Sequence, residues 1–203
     1  MSRIRFIFEK RGFSSFVRHV ELPQLFGRIA RRAGFKVSLT HGMSPHPHIV
    51  MGPALPVGVI SIYEAAEIWF DGDVSLQDVL DGFNANSPTG FRFLKATFIP
   101  DESKSLNKCI NAAQYWLCPR NMESLDAVSS TFLQDFPREI LLKVSRCQDG
   151  LEIVTYDPSQ TGPGVLVKDL VAHEVITGWP DICIARLCLG QWCAENGEII
   201  PLL

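Results

Sequence analysis

No stretch of this 203-residue chain reaches the roughly 18 consecutive apolar residues of a membrane-spanning helix, so none is expected. The N-terminus lacks the unbroken apolar core of a signal peptide, because Glu9, Lys10 and Arg11 interrupt it, and the cytoplasm is the expected compartment. No cysteine precedes Cys109. The six that follow (Cys109, Cys118, Cys147, Cys183, Cys188 and Cys193) form no Cys-x-x-Cys pair, which argues against a zinc ribbon or a cluster site of familiar spacing. Free structural thiols are expected, as disulfides are scarce in cytosolic proteins. Neither Gly-x-x-x-x-Gly-Lys nor Gly-x-Gly-x-x-Gly occurs, so the usual backbone cradles for nucleotide phosphates are missing, and no cofactor is expected in this chain.

Acidic residues are scarce at the start. Residues 1–50 hold nine Lys/Arg (Arg3, Arg5, Lys10, Arg11, Arg18, Arg28, Arg31, Arg32 and Lys36) and only Glu9 and Glu21 against them, a balance of +7. The remaining ten basic and twenty acidic residues give −10, which the overall charge of −3 conceals. Such a split suggests an anionic partner for the first half, with a solvated basic face as the plainer alternative.

The densest chemistry lies in His41-Gly42-Met43-Ser44-Pro45-His46-Pro47-His48, which holds three of the five histidines. Proline fixes φ near −65° and steers the preceding residue away from helix, so residues 44–48 are expected to be a stiff, extended loop. Imidazoles titrate near neutrality, bind metals and contact phosphates, and a loop that concentrates them reads as a site.

Residues 3–8 alternate, with Ile4, Phe6 and Phe8 on one side and Arg3, Arg5 and Ile7 on the other, which predicts a half-buried strand. Leu22, Leu25, Phe26, Ile29 and Ala33 follow helical spacing, with Pro23 in the first turn and Gly34 as the stop. The opposite face carries Gln24, Arg28, Arg31 and Arg32. Strands are expected at 35–39, 61–70 and 91–99, with a helix to about Asn84 capped by Asp73 or Ser75.

Residues 100–107 read as a polar linker. The order then repeats: strand 112–117, helix 122–133, a hairpin of 140–145 and 151–156 around Asp149-Gly150, helix 165–175 and strand 182–188. The expected fold class is α+β, with tandem ferredoxin-like (βαββαβ) units over residues 1–100 (basic) and 108–203 (acidic). Phe6, Phe26, Ile29 and Trp69 are expected in or against the first core. Trp116, Trp179 and Trp192 are expected to pack in the core or between domains, and His173 to lie on the surface.

Several motifs together resemble a bacterial family of unknown function, the radical S-adenosylmethionine-associated proteins of the DUF2344 type. They are Arg3-Ile4-Arg5-Phe6, Arg18-His19-Val20-Glu21, Arg28-Ile29-Ala30-Arg31-Arg32-Ala33-Gly34, the histidine segment, and Pro53-Ala54-Leu55-Pro56-Val57-Gly58. They cover about half the chain. The family usually shows Ser-His-x-Asp where this chain has Arg18-His19-Val20-Glu21, and Gly-Phe-Asn-Pro-His-Pro where it has Gly42-Met43-Ser44-Pro45-His46-Pro47. The resemblance implies a radical S-adenosylmethionine protein as partner and a role accessory to RNA or ribosome chemistry. The radical cluster motif Cys-x3-Cys-x2-Cys is absent, so this polypeptide is not the radical enzyme: either a partner supplies that chemistry or the association is indirect.

Three chemistries fit the candidate residues. In RNA binding, Arg18, Arg28, Arg31 and Arg32 contact phosphates, and His46 and His48 add bonds to phosphate or 2′-hydroxyl groups. Metal-independent RNA cleavage instead makes His19 the general base and His46 the general acid. A metal site combines His19, Glu21 and His46 as two imidazoles and a carboxylate. No metal is expected, because local ligand spacing such as His-x3-His is missing. The plainer readings are that the arginines form the wet face of a helix and that His19 caps it.

Overall fold

A computed structural model describes residues 1–134, 136, 137 and 139–203 as a mixed α+β chain of two compact units. The division is not linear: residues 1–52, 61–109 and 203 make the first unit, and 53–60 with 110–202 the second. Among the described residues, no helix is long and apolar enough to cross a membrane.

The first unit runs β1 (Ser2–Lys10), α1 (Leu22–Arg32), β2 (Ile49–Met51), β3 (Ile60–Phe70), α2 (Leu76–Asn86) and β4 (Phe91–Phe98). Its strands lie in the order β4-β1-β3-β2, all neighbours antiparallel. The alternation in β1 sends Ile4, Phe6 and Phe8 into a core completed by Phe26, Ile29, Phe70, Phe83 and Phe93. Phe6 stacks on Phe83 with centroids 5.1 Å apart, and Phe8 meets Phe26 edge-on at 5.0 Å. Such aromatic pairs add specific geometry to area burial.

Helix α1 begins with Pro23 in its first turn and ends at Gly34, whose φ of +83° suits a residue without Cβ. The Phe35 N–H then donates to Ala30 O at 2.9 Å, which satisfies one of the last helical carbonyls. Helix α2 starts after Ser75, whose Oγ accepts from the Asp78 N–H.

Three expectations for this unit need correction. Residues 35–39 form no continuous strand. The segment makes single bridges, Val37 to Phe70 and Leu39 to Pro47, because it leaves the edge of β3 to pair with its own returning chain. The strand paired to β3 is the later Ile49–Met51. Trp69 lies half-buried on the sheet face opposite the Phe6 core, since strand residues alternate and Ile68 and Phe70 take the core side. Residues 100–107 are no loose tether. The Arg3 guanidinium donates to Pro100 O, Ser103 O and Lys104 O at 3.0–3.3 Å, and Leu106 is fully buried.

That same face explains why β1 is buried on both sides. Arg3 and Arg5 flank Glu67 of β3, with Arg3 Nη2 2.8 Å from Oε2 and Arg5 Nη2 2.7 Å from Oε1. All three side chains are buried.

The second unit runs β5 (Ala112–Pro119), α3 (Leu125–Gln134), β6 (Leu141–Cys147), β7 (Gly150–Tyr156), α4 (Pro163–Ala172), β8 (Ile182–Cys193) and β9 (Glu198–Pro201). The strand order is β8-β5-β7-β6, again antiparallel, with β9 paired to β8. Its buried residues include Tyr115, Leu117, Phe132, Ile153, Leu166 and Leu170. The β6–β7 turn spans Gln148 and Asp149, one residue earlier than expected. A Cβ on Gly150 would lie 2.2 Å from Leu117 O, so glycine is required there for close approach.

Residues 53–60 join this unit through Arg186. Its guanidinium donates to Pro53 O at 2.8 Å and Ala54 O at 3.1 Å, and lies over the Tyr115 ring. Trp179 is 42% exposed rather than packed away, while Trp116 and Trp192 are half-buried.

Candidate functional site

The histidine segment is an arm, not an open loop. Thr40 N–H donates to His46 O at 2.8 Å and His48 N–H to Ser38 O at 2.7 Å, so residues 38–40 pair with 46–48. Residues 41–45 form the exposed tip. The base of the arm is tied to β3: Ser38 N–H donates to Trp69 O at 2.7 Å, and Trp69 N–H to His48 O at 3.1 Å. Ser38 Oγ also reaches Asp71 Oδ1 at 2.6 Å.

The histidines divide by depth. His48 is half-buried and lies flat on the Trp69 indole, which also meets the Arg3 guanidinium at 5.1 Å. Desolvation pushes the His48 pKa down, with further lowering from His41, Arg3 and His46 and partial opposition from Glu67. The neutral form of His48 is thereby favoured, and the ring serves the arm's base.

His46 is exposed. Its Nδ1 lies 3.2 Å from Ser44 O and 3.1 Å from Thr40 Oγ1. A carbonyl can only accept, so the bond to Ser44 requires the proton on Nδ1 and leaves Nε2 to accept in the neutral ring. His41 is also exposed.

Helix α1 abuts this arm at Gly27. A Cβ built there would lie 3.5 Å from Pro47 Cγ, an ordinary contact distance, so the proline ring packs closely over this helical position. One turn later, Arg31 and Lys36 border a groove of about 350 Å³ floored by Phe35, Val37, Leu39 and Pro47. Arg28, Arg31 and Arg32 are all exposed.

The charge balance of the first fifty residues resolves onto these three. Arg3 and Arg5 are spent on Glu67, Arg11 on Glu9, Arg18 on Glu21 and Lys36 on Asp71. Lys10 is buried and donates to Val17 O. Arg28 bonds, among the described residues, only the neutral Gln24, at 3.2 Å. Among the described residues no carboxylate pairs with Arg28, Arg31 or Arg32.

Two candidates take other roles. Arg18 Nη2 meets Glu21 Oε1 at 2.8 Å, and Arg18 N–H donates to Glu21 Oε2 at 3.1 Å, which closes the single turn before α1. Those bonds hold the Glu21 carboxyl below the usual carboxylate range and raise the Arg18 pKa. Glu21 is therefore committed to a cap. His19 sits in that same turn, half-buried. His19, Glu21 and His46 do not assemble a metal site: among the described residues, no three His, Cys, Asp or Glu side chains are grouped to hold an ion.

Sequence reasoning missed the buried Arg3–Glu67–Arg5 group. Its signal was Glu67 itself, an acid between Ala66 and Ile68 in a largely apolar strand that also holds Glu64. It also missed Phe13, which is 92% exposed beside the arginine face.

Comparison with curated proteins gives no match. A family match spans residues 3–148, through nearly all of the first unit and as far as the β6–β7 turn, and by it the chain belongs to DUF2344, described as an uncharacterized protein conserved in bacteria.

Proposed function

We propose that this protein binds RNA, or a nucleotide, through the face of its first unit formed by α1 and the histidine arm. In this reading each unit is a ferredoxin-like module, supported by the strand orders β4-β1-β3-β2 and β8-β5-β7-β6. The observation that carries the binding site is the triplet Arg28, Arg31 and Arg32, exposed, without carboxylate partners among the described residues, and joined to the arm where Pro47 seats on Gly27. Guanidinium groups give planar, bidentate phosphate contacts, and a cluster on one helix face matches a phosphodiester backbone. His46 adds one polar contact: neutral Nε2 accepts from a 2′-hydroxyl, and the imidazolium donates to phosphate.

The opposite sheet face is unsuited to the task. Arg3 and Arg5 are buried and paired with Glu67 there, and the carbonyls of residues 100, 103 and 104 crown Arg3. RNA therefore belongs on the helix-and-arm side. The protein acts beside a radical S-adenosylmethionine enzyme in RNA or ribosome chemistry, a role drawn from the family resemblance.

Fluorescence anisotropy with single-stranded RNA tests the reading. Affinity is expected to fall steeply with salt as phosphate contacts release counterions. Arg31→Ala and Arg32→Ala should each weaken all sequences alike and reduce the salt slope by about 1. Absence of binding at low salt overturns the proposal. Isolation from the native host without an iron–sulfur partner would remove the accessory role and leave the binding site standing.

A further inference from the structure

Arg28, one of the three exposed arginines, borders a second groove, of about 450 Å³, that phosphate binding leaves unused. Arg28 lines it together with Leu25, Val17 and Phe91, and Phe13 stands at its rim. Phe13 is 92% exposed, and the neighbouring Phe16 and Val20 are 63% and 77% exposed. Exposing an aromatic ring forgoes the roughly 1.5–3 kcal/mol that burial gives a large apolar side chain. A scattered exposed residue needs no explanation, but this one sits on an unusually fixed backbone.

Residues 12–16 form a 3-10 turn pinned at several points. Arg11 N–H donates to Gly90 O at 2.8 Å, Ser14 Oγ to Thr89 O at 2.7 Å and Ser15 Oγ to Gly12 O at 2.7 Å. Gly90 is required for this docking, since a Cβ there would lie 2.3 Å from Arg11 O. The ring is thus presented to solvent with its backbone already ordered, so binding to it costs little further entropy. The carboxylate on the groove, Glu21, is neutralised by Arg18. Arg28 keeps its charge and lacks a carboxylate partner among the described residues, which leaves the groove apolar with one cationic edge.

We propose that Phe13 is a stacking platform for a nucleobase of the RNA strand whose phosphates lie on Arg28. Every base offers a π face, and an aromatic side chain beside a cation that tracks the backbone is the recurrent plan of single-strand recognition. The proposal rests on the RNA-binding reading above and adds a base-contacting subsite to it.

The test compares a labelled oligouridylate with an abasic oligoribose phosphate of equal length, both titrated against the full chain. Phe13→Ala is expected to weaken oligouridylate binding about 5- to 150-fold, the span of about 1–3 kcal/mol per stacked base, and to leave the abasic strand unaffected. Phe13→Trp should retain oligouridylate affinity. Arg31→Ala should weaken both strands. If Phe13→Ala changes neither strand while Arg31→Ala weakens both, the stacking site is overturned and phosphate binding stands; a protein partner is then what the ring serves. Equal weakening of both strands by Phe13→Ala also overturns stacking. If neither strand binds wild type at low salt, the RNA reading falls and the subsite with it.

Discussion

The imidazole of His48 lies flat against the indole of Trp69, ring centroids 3.8 Å apart and planes 3° from parallel. The stack clamps the base of the arm to β3 beside the Trp69–His48 backbone hydrogen bond. It also places the histidine where protonation is penalised by burial and by His41, Arg3 and His46.

A pH dependence of stability follows. Because the folded-state pKa of His48 lies below its ordinary value of about 6.5, the unfolded chain binds the proton more readily. The neutral ring's contribution is fully present above about pH 6.5 and is lost as pH falls from there toward the folded-state pKa. Urea midpoints measured from pH 8 to 5 should fall more for wild type than for His48→Phe, which keeps a stackable ring without a proton to take up. An NMR titration placing His48 at or above 6.5 contradicts this account.

The Arg3–Glu67–Arg5 group should behave as a unit. Glu67→Gln leaves two buried guanidiniums without their counter-charge and is expected to cost about 3–5 kcal/mol in denaturant unfolding. Replacing all three residues by methionine should cost much less, since buried ion groups exchange for packed apolar ones nearly evenly. Glu67→Gln should also loosen the 100–104 segment that Arg3 holds, read as faster proteolysis there.

Much of this architecture is legible in the residues, because period-two and helical spacing report which side of an element faces a core. β1, α1, α2 and the β6–β7 hairpin follow from those patterns to within a few residues. The arm does not, because residues 35–39 are apolar enough for a strand yet turn back on themselves through Leu39 and Pro47, a pairing that local spacing cannot encode. The site was legible in part. Arg28, Arg31 and Arg32 stood out as a cluster, but the pairing of Arg3, Arg5 and Arg18 with carboxylates is decided only by the fold or the cap geometry. Residues two apart on an extended segment share a face, so the separation of His46 and His48 into one exposed and one stacked ring was not legible in their spacing. Phe13 gave no sequence signal, since an exposed aromatic and a core aromatic look alike outside a periodic element.

His46 separates binding from chemistry. With its Nδ1 bonded to Ser44 O and Thr40 Oγ1, the ring offers only Nε2 to a ligand. His46→Ala is expected to weaken RNA affinity modestly, by less than about tenfold, the scale of one hydrogen bond of about 0.5–1.5 kcal/mol. Wild type incubated with RNA in a chelator should leave it intact. A cleavage that His46→Ala or His19→Ala slows by about 10²–10⁴ would assign the pair to general acid–base catalysis instead.

Gly27 tests whether the arm and α1 act as one surface. The position is helical, and glycine there is less favourable than alanine by about 0.5–1 kcal/mol. A Cβ would meet Pro47 Cγ at 3.5 Å and Cβ at 3.7 Å, ordinary contact distances, so Gly27→Ala should stabilise the protein by about that amount and leave RNA affinity unchanged. Gly27→Leu has no such room. Its side chain must displace Pro47 and lift the arm from the helix while the arginines keep their exposure. Salt-dependent binding should then weaken with the slope nearly preserved, because the phosphate contacts on α1 survive and the arm's are lost. Unchanged RNA affinity in Gly27→Leu, with the arm shown by NMR to have moved, would restrict the interface to the helix alone.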